Sequence, residues 1–244
     1  MTELFSGLTA SATVLVALAV LVGAWIQSVA GLGMGLVAAP VVAVVAPELM
    51  PELPLFFGLM VSTSVLVLDR RHVDWRAVGW TLPARALGTV PGVWLVVVFT
   101  NAQIGIAVAT MVLVAVLVSW RTITVPVNPA TMVAAGFIGG VGGTATSIAG
   151  PAVALLFQHG RPSEVRATLA VFFAGGVLMS LGALAVVGHF STASIGLAVL
   201  CAPLVGLGLW LGHHTRDHLP RERFRRVVLL VCAASAVALL LKSL

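Results

Sequence analysis

Charged residues are scarce in this sequence, because Asp, Glu, Lys and Arg together make up only 9% of its 244 residues. That is too little charge to cover the surface of a soluble domain of this length. The two cysteines, Cys201 and Cys232, lie within apolar stretches, and neither belongs to a CxxC or Cys/His pattern. The sequence therefore predicts no disulfide framework, no metal site and no cofactor.

Acidic residues are also missing from the middle of the apolar stretches, which argues against a carboxylate proton relay within the membrane. The motifs HExxH and GxSxG are absent, and no pair of Asp residues lies within an apolar stretch, so the sequence does not predict an enzyme. The basic residues are not interleaved with aromatic residues, so no nucleic-acid partner is predicted either. A structural scaffold stays open as an alternative.

Apolar residues are abundant: 60% of the chain is hydrophobic and the mean hydropathy is +1.13. Apolar runs of about 20 residues recur along the chain, which is the length that a helix needs to cross the bilayer. The sequence therefore predicts an all-α polytopic membrane protein. The segment before the first run has no positive n-region, so we expect that run to be a retained helix and not a cleaved signal peptide.

Two of the apolar stretches do not have the pattern of a continuous helix. The stretch Gly139–Phe157 contains a cluster of glycines and three hydroxyl residues before Gly150 and Pro151. The stretch Gln27–Val44 is a weaker copy, with alternating glycines before Pro40. Glycine clusters permit a tight reversal, and proline favours the first turn of a helix. We therefore expect an interruption in each stretch, with Pro40 and Pro151 in the first turn of the helix that follows.

The two interrupted stretches lie at corresponding places in two halves of similar order. The matching positions are Gly31 with Gly142, Pro40 with Pro151, Pro83 with Pro203, Gly88 with Gly208 and Gly92 with Gly212. This order of matches predicts a duplication. The N-terminal repeat spans residues 1–121, a linker loop spans 122–129, and the C-terminal repeat spans 130–244.

Basic residues fall almost entirely on one side of the membrane if each repeat is a broken, re-entrant helical hairpin followed by three transmembrane helices. Of the 13 Lys and Arg residues, all but Lys242 then lie on that side. The positive-inside rule makes it the cytoplasmic side and places both termini on the outer side. The second repeat starts on the opposite side from the first, so we predict two inverted-topology repeats.

The interrupted stretches are the candidate binding site. Free backbone N–H and C=O groups at membrane depth must be buried in protein or line a wet cavity. A helix start offers unpaired N–H donors and the positive end of the helix dipole, which together favour an anion at the midplane. The alternative is that the small residues only permit close helix packing. The predicted substrate-binding residues are Gln27, Ser28, Gly31, Gly33, Ala39, Pro40, Arg85, Gly142, Gly143, Thr144, Thr146, Ser147, Gly150 and Pro151.

Arg85 stands out within this set because it lies about eight residues into an apolar stretch, roughly 12 Å of helix. An arginine at such depth often binds a ligand or gates a pathway. It could instead extend to the cytoplasmic headgroups, and both interpretations stay open. Ser62, Thr63 and Ser64 also lie within a span, where they either line a path or bond back to their own helix.

The glycine-rich stretches GLGMGLVAAP and GGVGGTATSIAGP resemble the signatures of the TauE/SafE family of sulfite exporters, also called the four-toluene-sulfonate-uptake permease (TSUP) family. A Pro-x4-Gly-x3-Gly pattern in both halves adds to the resemblance, which covers nearly the whole chain. Leu32 and Met34 interrupt the first signature, and Thr-Ala-Thr-Ser follows Gly143 in the second. These departures leave the substrate within the family open.

The resemblance implies a secondary transporter in the bacterial inner (plasma) membrane that carries small sulfur-containing anions, such as sulfite, sulfoacetate or related organosulfonates. Our hypothesis is export by alternating access. An importer, or a carrier of another small anionic metabolite, is the alternative. The expected partners are the anion and the lipid bilayer, and a homodimer is compatible with the pattern.

Overall fold

The structure is a computed structural model that describes residues 10–31, 34–120, 125–157, 160–189, 191–215 and 221–243. Over these residues it contains helices and no strands, which confirms the all-α prediction. The α-helices are α1 (Ala10–Ala30), α2 (Met34–Val45), α3 (Glu52–Asp69), α4 (Trp75–Val98), α5 (Asn101–Trp120), α6 (Pro129–Thr146), α7 (Gly150–Phe157), α8 (Pro162–Val186), α9 (Thr192–Thr215) and α10 (Arg221–Ser243).

Five of the described helices, α1, α4, α5, α8 and α9, are long and apolar enough to cross a membrane. Their outward side chains are apolar as well: Leu87 is 68% exposed, Val90 71% and Val186 87%. A surface of this kind is unfavourable in water and suits contact with lipid tails. The chain is therefore a multi-pass membrane protein.

Polar residues in the loops set where the site-bearing helices begin. The Asp74 side chain accepts hydrogen bonds from the backbone N–H groups of Arg76 (3.0 Å) and Ala77 (3.1 Å), which caps α4. Asn128 and Thr131 form a reciprocal capping box at the start of α6, just before Pro129 enters the first turn. These caps fix the register of α4 and α6, the two helices that carry Arg85 and Gly143.

Both predicted helix interruptions are present. The first separates α1 from α2 after Gly31, whose φ is +79°, and the second separates α6 from α7 after Ser147, whose φ is +62°. The expectation for Pro40 was wrong, because α2 already begins at Met34 and Pro40 lies within it. Pro151 is the second residue of α7 and stands in the first turn, as expected.

The helices of the two halves pack in reciprocal pairs. Helix α4 packs on α6 while α9 packs on α1, and α3 meets α8 while α5 meets α10. This pattern is what a two-fold relation between α1–α5 and α6–α10 would produce. The matching of Gly31 with Gly142 is not kept, because Gly31 follows the end of α1 whereas Gly142 lies within α6. Gly31 and Ser147 are the residues with a positive φ that directly follow the helices before the two breaks.

Glycines let the crossing helices approach until their backbones touch. A Cβ on Gly88 of α4 would lie 2.2 Å from the Phe137 carbonyl oxygen of α6, and a Cβ on Gly208 of α9 would lie 2.5 Å from the Leu21 carbonyl oxygen of α1. Such distances leave no room for a side chain. Close packing of small residues is therefore one real use of the matched glycines, as the alternative interpretation proposed.

We expect Gly208→Ala to lower the free energy of unfolding by roughly 1–3 kcal/mol, because the new methyl group must separate α9 from α1. Gly206 on the same helix is the matched control, since a Cβ there meets nothing within 4 Å. Thermal unfolding of the two variants in detergent would measure the difference. Equal midpoints for both variants would mean that the close crossing does not stabilise the fold.

Candidate functional site

The two helix breaks meet in space. A Cβ on Gly35, the second residue of α2, would lie 2.2 Å from the carbonyl oxygen of Ser147. Ser147 itself has a left-handed backbone, a conformation that costs energy for a residue other than glycine. Its hydroxyl donates a hydrogen bond of 2.7 Å to the Pro51 carbonyl, which ties the second break to the first half of the chain.

A cavity of about 40 Å³ lies between these breaks. That volume holds roughly three water molecules, or one small oxyanion in their place. The described residues that line it are Gln27, Met34, Gly35, Leu36, Pro54, Leu55, Gly58, Ser62, Arg85, Gly143, Ser147, Ile148, Ala149, Gly150, Phe173 and Val177. Both breaks, together with α3, α4 and α8, therefore contribute to one cavity.

Arg85 is the charged residue of this lining, and its side chain is only 1% exposed. The interpretation in which it extends to the headgroups is therefore wrong. Its Nε and Nη1 atoms are buried and have no hydrogen-bond partner among the described residues. A buried guanidinium without a counter-ion is unfavourable by several kcal/mol. This site therefore has an uncompensated positive charge that a bound anion would neutralise.

The guanidinium is held from two sides by α8 and α6. It stacks on the ring of Phe172, with Cζ 4.5 Å from the ring centroid. One helical turn further along α8, a Cβ on Gly176 would lie 1.5 Å from Arg85 Nε, and a Cβ on Gly143 of α6 would lie 3.0 Å from Nη2. The two glycines thus create the space that Arg85 fills, while the ring stabilises its charge.

Gln27 bridges the first break. Its Oε1 accepts a hydrogen bond of 3.0 Å from the backbone N–H of Met34, the first residue of α2. Its Nε2 donates to Ser62 Oγ at 3.4 Å, so the amide also reaches α3. The first donor of α2 is therefore already occupied, and the Gln27 amide and the Ser62 hydroxyl are neutral polar groups in the same lining as Arg85.

Ser62 is a site residue that the sequence did not single out from its neighbours. Thr63 Oγ1 bonds back to the Leu59 carbonyl at 2.7 Å, and Ser64 Oγ to the Met60 carbonyl at 2.8 Å. Ser62 is fully buried and lines the cavity. Choosing among these three hydroxyl residues requires knowing which face of α3 points inward. The helix is apolar on all sides, so its sequence does not show that face.

The structure brings five of the predicted site residues into the lining and leaves the others elsewhere. The five are Gln27, Arg85, Gly143, Ser147 and Gly150. Gly33 lies outside the described residues, and Pro151 is described only as part of the α7 backbone. The described residues that do not line the cavity are Ser28, Gly31, Ala39, Pro40, Gly142, Thr144 and Thr146.

The predicted hydroxyl donors outside the cavity bond within the protein. Ser28 donates to the Leu209 carbonyl at 3.2 Å, where α1 meets α9. Thr144 shares a hydrogen bond of 2.8 Å with Ser180, which joins α6 to α8. Thr146 donates to the Gly142 carbonyl of its own helix at 2.7 Å. The structure gives these groups roles in helix packing and in positioning the cavity wall.

We expect Ser62→Ala to weaken anion binding by about tenfold or more, because a hydrogen bond to a charged partner contributes roughly 1.5–3 kcal/mol. Thr146→Val is the matched control, since Thr146 is equally buried but bonds to its own helix. We expect the control to bind as the parent does. Calorimetric titration of both variants with the same anion checks this, and a reversed order of effects would contradict the placement of the donors.

Comparisons with known proteins find similarity over most of the chain. The model of the sulfite exporter TauE/SafE family matches residues 15–239. A curated relative, the probable inner membrane transporter protein TsaS of Comamonas testosteroni, is 28% identical over 181 residues, which is 70% of this chain and 74% of the relative. No solved structure is significantly similar to this chain.

Proposed function

Because this chain belongs to the TauE/SafE sulfite exporter family, a family of membrane transporters and not of enzymes, we propose that it exports small sulfur-containing anions. The substrate class comprises sulfite, sulfoacetate and related organosulfonates. The anion binds in the cavity between the two helix breaks, near the midplane, and moves by alternating access. The observation that carries the proposal is the buried guanidinium of Arg85 in that cavity, whose Nε and Nη1 have no hydrogen-bond partner among the described residues.

The polar groups around the cavity suit an oxyanion. Arg85 offers a permanent positive charge, and its Nε and Nη1 donors have no hydrogen-bond partner among the described residues. Ser62 and Gln27 supply neutral polar groups from the other side. An apolar or cationic substrate would leave the guanidinium unpaired.

Two equivalent contacts support a rocking motion between the halves. The backbone N–H of Asp74, which caps α4, donates to Thr168 Oγ1 of α8 at 2.9 Å. The backbone N–H of Ser191, just before α9, donates to Glu52 Oε2 of α3 at 2.8 Å. Each contact joins the fourth helix of one half to the third helix of the other. In inverted repeats they lie at opposite ends, where one opens as the other closes.

Export is the direction that the membrane potential favours for an anion. An inside-negative potential drives each unit of negative charge outward by about 2.3 kcal/mol per 100 mV. We place the Arg-rich loops on the cytoplasmic side and both termini outside. Lys242, the basic residue that this orientation leaves outside, donates a hydrogen bond to the Val44 carbonyl near the end of α2, so it has a local structural role.

Flux into and out of proteoliposomes tests the proposal. We expect labelled sulfite, sulfoacetate or an organosulfonate to move through the purified protein and to accumulate on the positive side of an imposed potential. Empty liposomes control for leakage of the anion through the lipid. A protonophore separates potential-driven from proton-driven movement. Absence of both flux and binding for all these anions would contradict the substrate class. Flux that a carboxylate supports better than any sulfur anion would favour the alternative carrier.

A further inference from the structure

The cavity contains one full positive charge and no opposing one. Arg85 is the charged side chain among the described lining residues, and the remaining polar side chains there, Gln27, Ser62 and Ser147, are neutral. The guanidinium stays protonated in proteins, so its charge is permanent. A bound anion with one negative charge would make the site neutral.

The helix ends at the breaks do not change this balance. The C-terminus of α1 at Ala30 lies next to the N-terminus of α2 at Met34, and the C-terminus of α6 at Thr146 lies next to the N-terminus of α7 at Gly150. A helix end carries roughly half a unit charge, negative at the C-terminus and positive at the N-terminus. Each break therefore pairs opposite partial charges, and their long-range effects largely cancel.

The small volume of the cavity limits how much hydration water could stabilise a second negative charge on the ligand. Its volume of about 40 Å³ has room for only a few water molecules, so a bound ligand loses much of its hydration shell there. The surrounding wall includes Leu36, Leu55 and Val177, which cannot donate hydrogen bonds. A second negative charge would thus be desolvated without a partner, and burying such a charge costs several kcal/mol.

We infer that the site selects its ligand by charge and takes a singly charged oxyanion, a sulfonate or the hydrogensulfite form of sulfite, over a doubly charged one. This inference rests on the proposed anion transport and deepens it. The doubly charged forms of sulfite, sulfate and phosphonates bind weakly, because Arg85 neutralises only one of their charges. Sulfoacetate with its carboxylate ionised is in the same group, so within the proposed substrate class hydrogensulfite and simple organosulfonates are favoured over it. Uptake into the site therefore follows the protonation state of the anion in solution.

Methanesulfonate and methylphosphonate provide the test, since they have the same shape and differ in charge. Methanesulfonate keeps one charge throughout, whereas methylphosphonate gains a second charge as the pH rises. Calorimetric titration of the purified protein at the lower pH should give similar affinities. At the higher pH we expect methylphosphonate to bind at least about tenfold more weakly, with methanesulfonate unchanged. The constant affinity of methanesulfonate controls for titration of the protein itself.

The outcomes of this experiment separate the charge selection from the proposed anion transport. Equal affinities for the two anions at the higher pH would overturn the charge selection, even if sulfite flux is observed. Failure of methanesulfonate and of sulfite to bind at either pH would overturn the proposed anion transport, and the charge selection with it. Tighter binding of the doubly charged form would indicate a second positive group in the cavity and would also overturn the inference.

Discussion

Replacement of Arg85 by Met is expected to abolish anion binding and transport while leaving the anion-free protein at least as stable as the parent. The guanidinium is 1% exposed and two of its nitrogens lack partners, so its charge opposes folding unless a ligand is bound. Methionine fills the apolar part of the space without that charge. Removing the charged partner of the anion should weaken binding by at least about 100-fold, roughly 3 kcal/mol.

Two variants sharpen this result. Arg85→Lys keeps the charge but loses the planar fork, so we expect partial binding with a large loss of affinity. Arg76→Met removes a charge from the exposed first turn of the same helix and should leave binding unchanged. Isothermal titration gives the affinities, and thermal unfolding without the anion gives the stabilities. If Arg85→Met lowers the free energy of unfolding of the anion-free protein by several kcal/mol, or does not fold, Arg85 stabilises the fold. That result would contradict a ligand-binding role.

A single methyl group at Gly176 is expected to weaken anion binding by displacing Arg85, although less than the loss of Arg85 itself does. A Cβ there would lie 1.5 Å from Arg85 Nε, against the rigid branch point of the guanidinium. The side chain of Arg85 must leave its place over Phe172, and its donors then turn away from the cavity. We expect Gly176→Ala to reduce anion affinity at least about tenfold and to destabilise the protein by roughly 1–3 kcal/mol.

The same helix provides the control for this substitution. A Cβ on Gly182 would meet nothing within 4 Å, so Gly182→Ala should leave binding unchanged and stabilise α8 by up to about 1 kcal/mol. The double variant Gly176→Ala/Arg85→Ala should recover stability relative to the sum of the single losses, because a side chain that ends at Cβ leaves no atom for the Gly176 methyl group to displace. Additive losses in the double variant would place the effect of Gly176 somewhere other than Arg85.

The helical class and the two breaks were predictable because their causes are local. Apolar runs of about 20 residues require a membrane and backbone hydrogen bonds within each segment. The second break follows from its glycine cluster and Pro151, which is the second residue of α7. The first was predicted correctly for Gly31, but its helix was expected to start near Pro40, although it starts at Met34. Proline within α2 is tolerated there, and sequence pattern alone did not distinguish that case.

The site was only partly predictable, because its residues belong to helices distant in the chain. Thr144, Thr146 and Ser147 were equal candidates as donors, yet all three hydroxyl groups bond within the protein and only Ser147 lines the cavity. Ser62 and Gly176 had no local feature that distinguished them, since their importance comes from facing Gln27 and Arg85. The inverted relation of the repeats and the positions of the termini remain predictions.

The sequence by itself therefore determined that this chain is a multi-pass helical membrane protein with two interrupted helices and one arginine deep within an apolar stretch. Composition, run length and glycine–proline clusters act within one segment, so they can be interpreted without a partner. Only the tertiary structure decided that the breaks touch at Gly35 and Ser147 and that Arg85 turns inward onto Phe172. Those outcomes depend on which helix faces meet, and uniformly apolar helices do not encode their facing sides in a pattern of polarity.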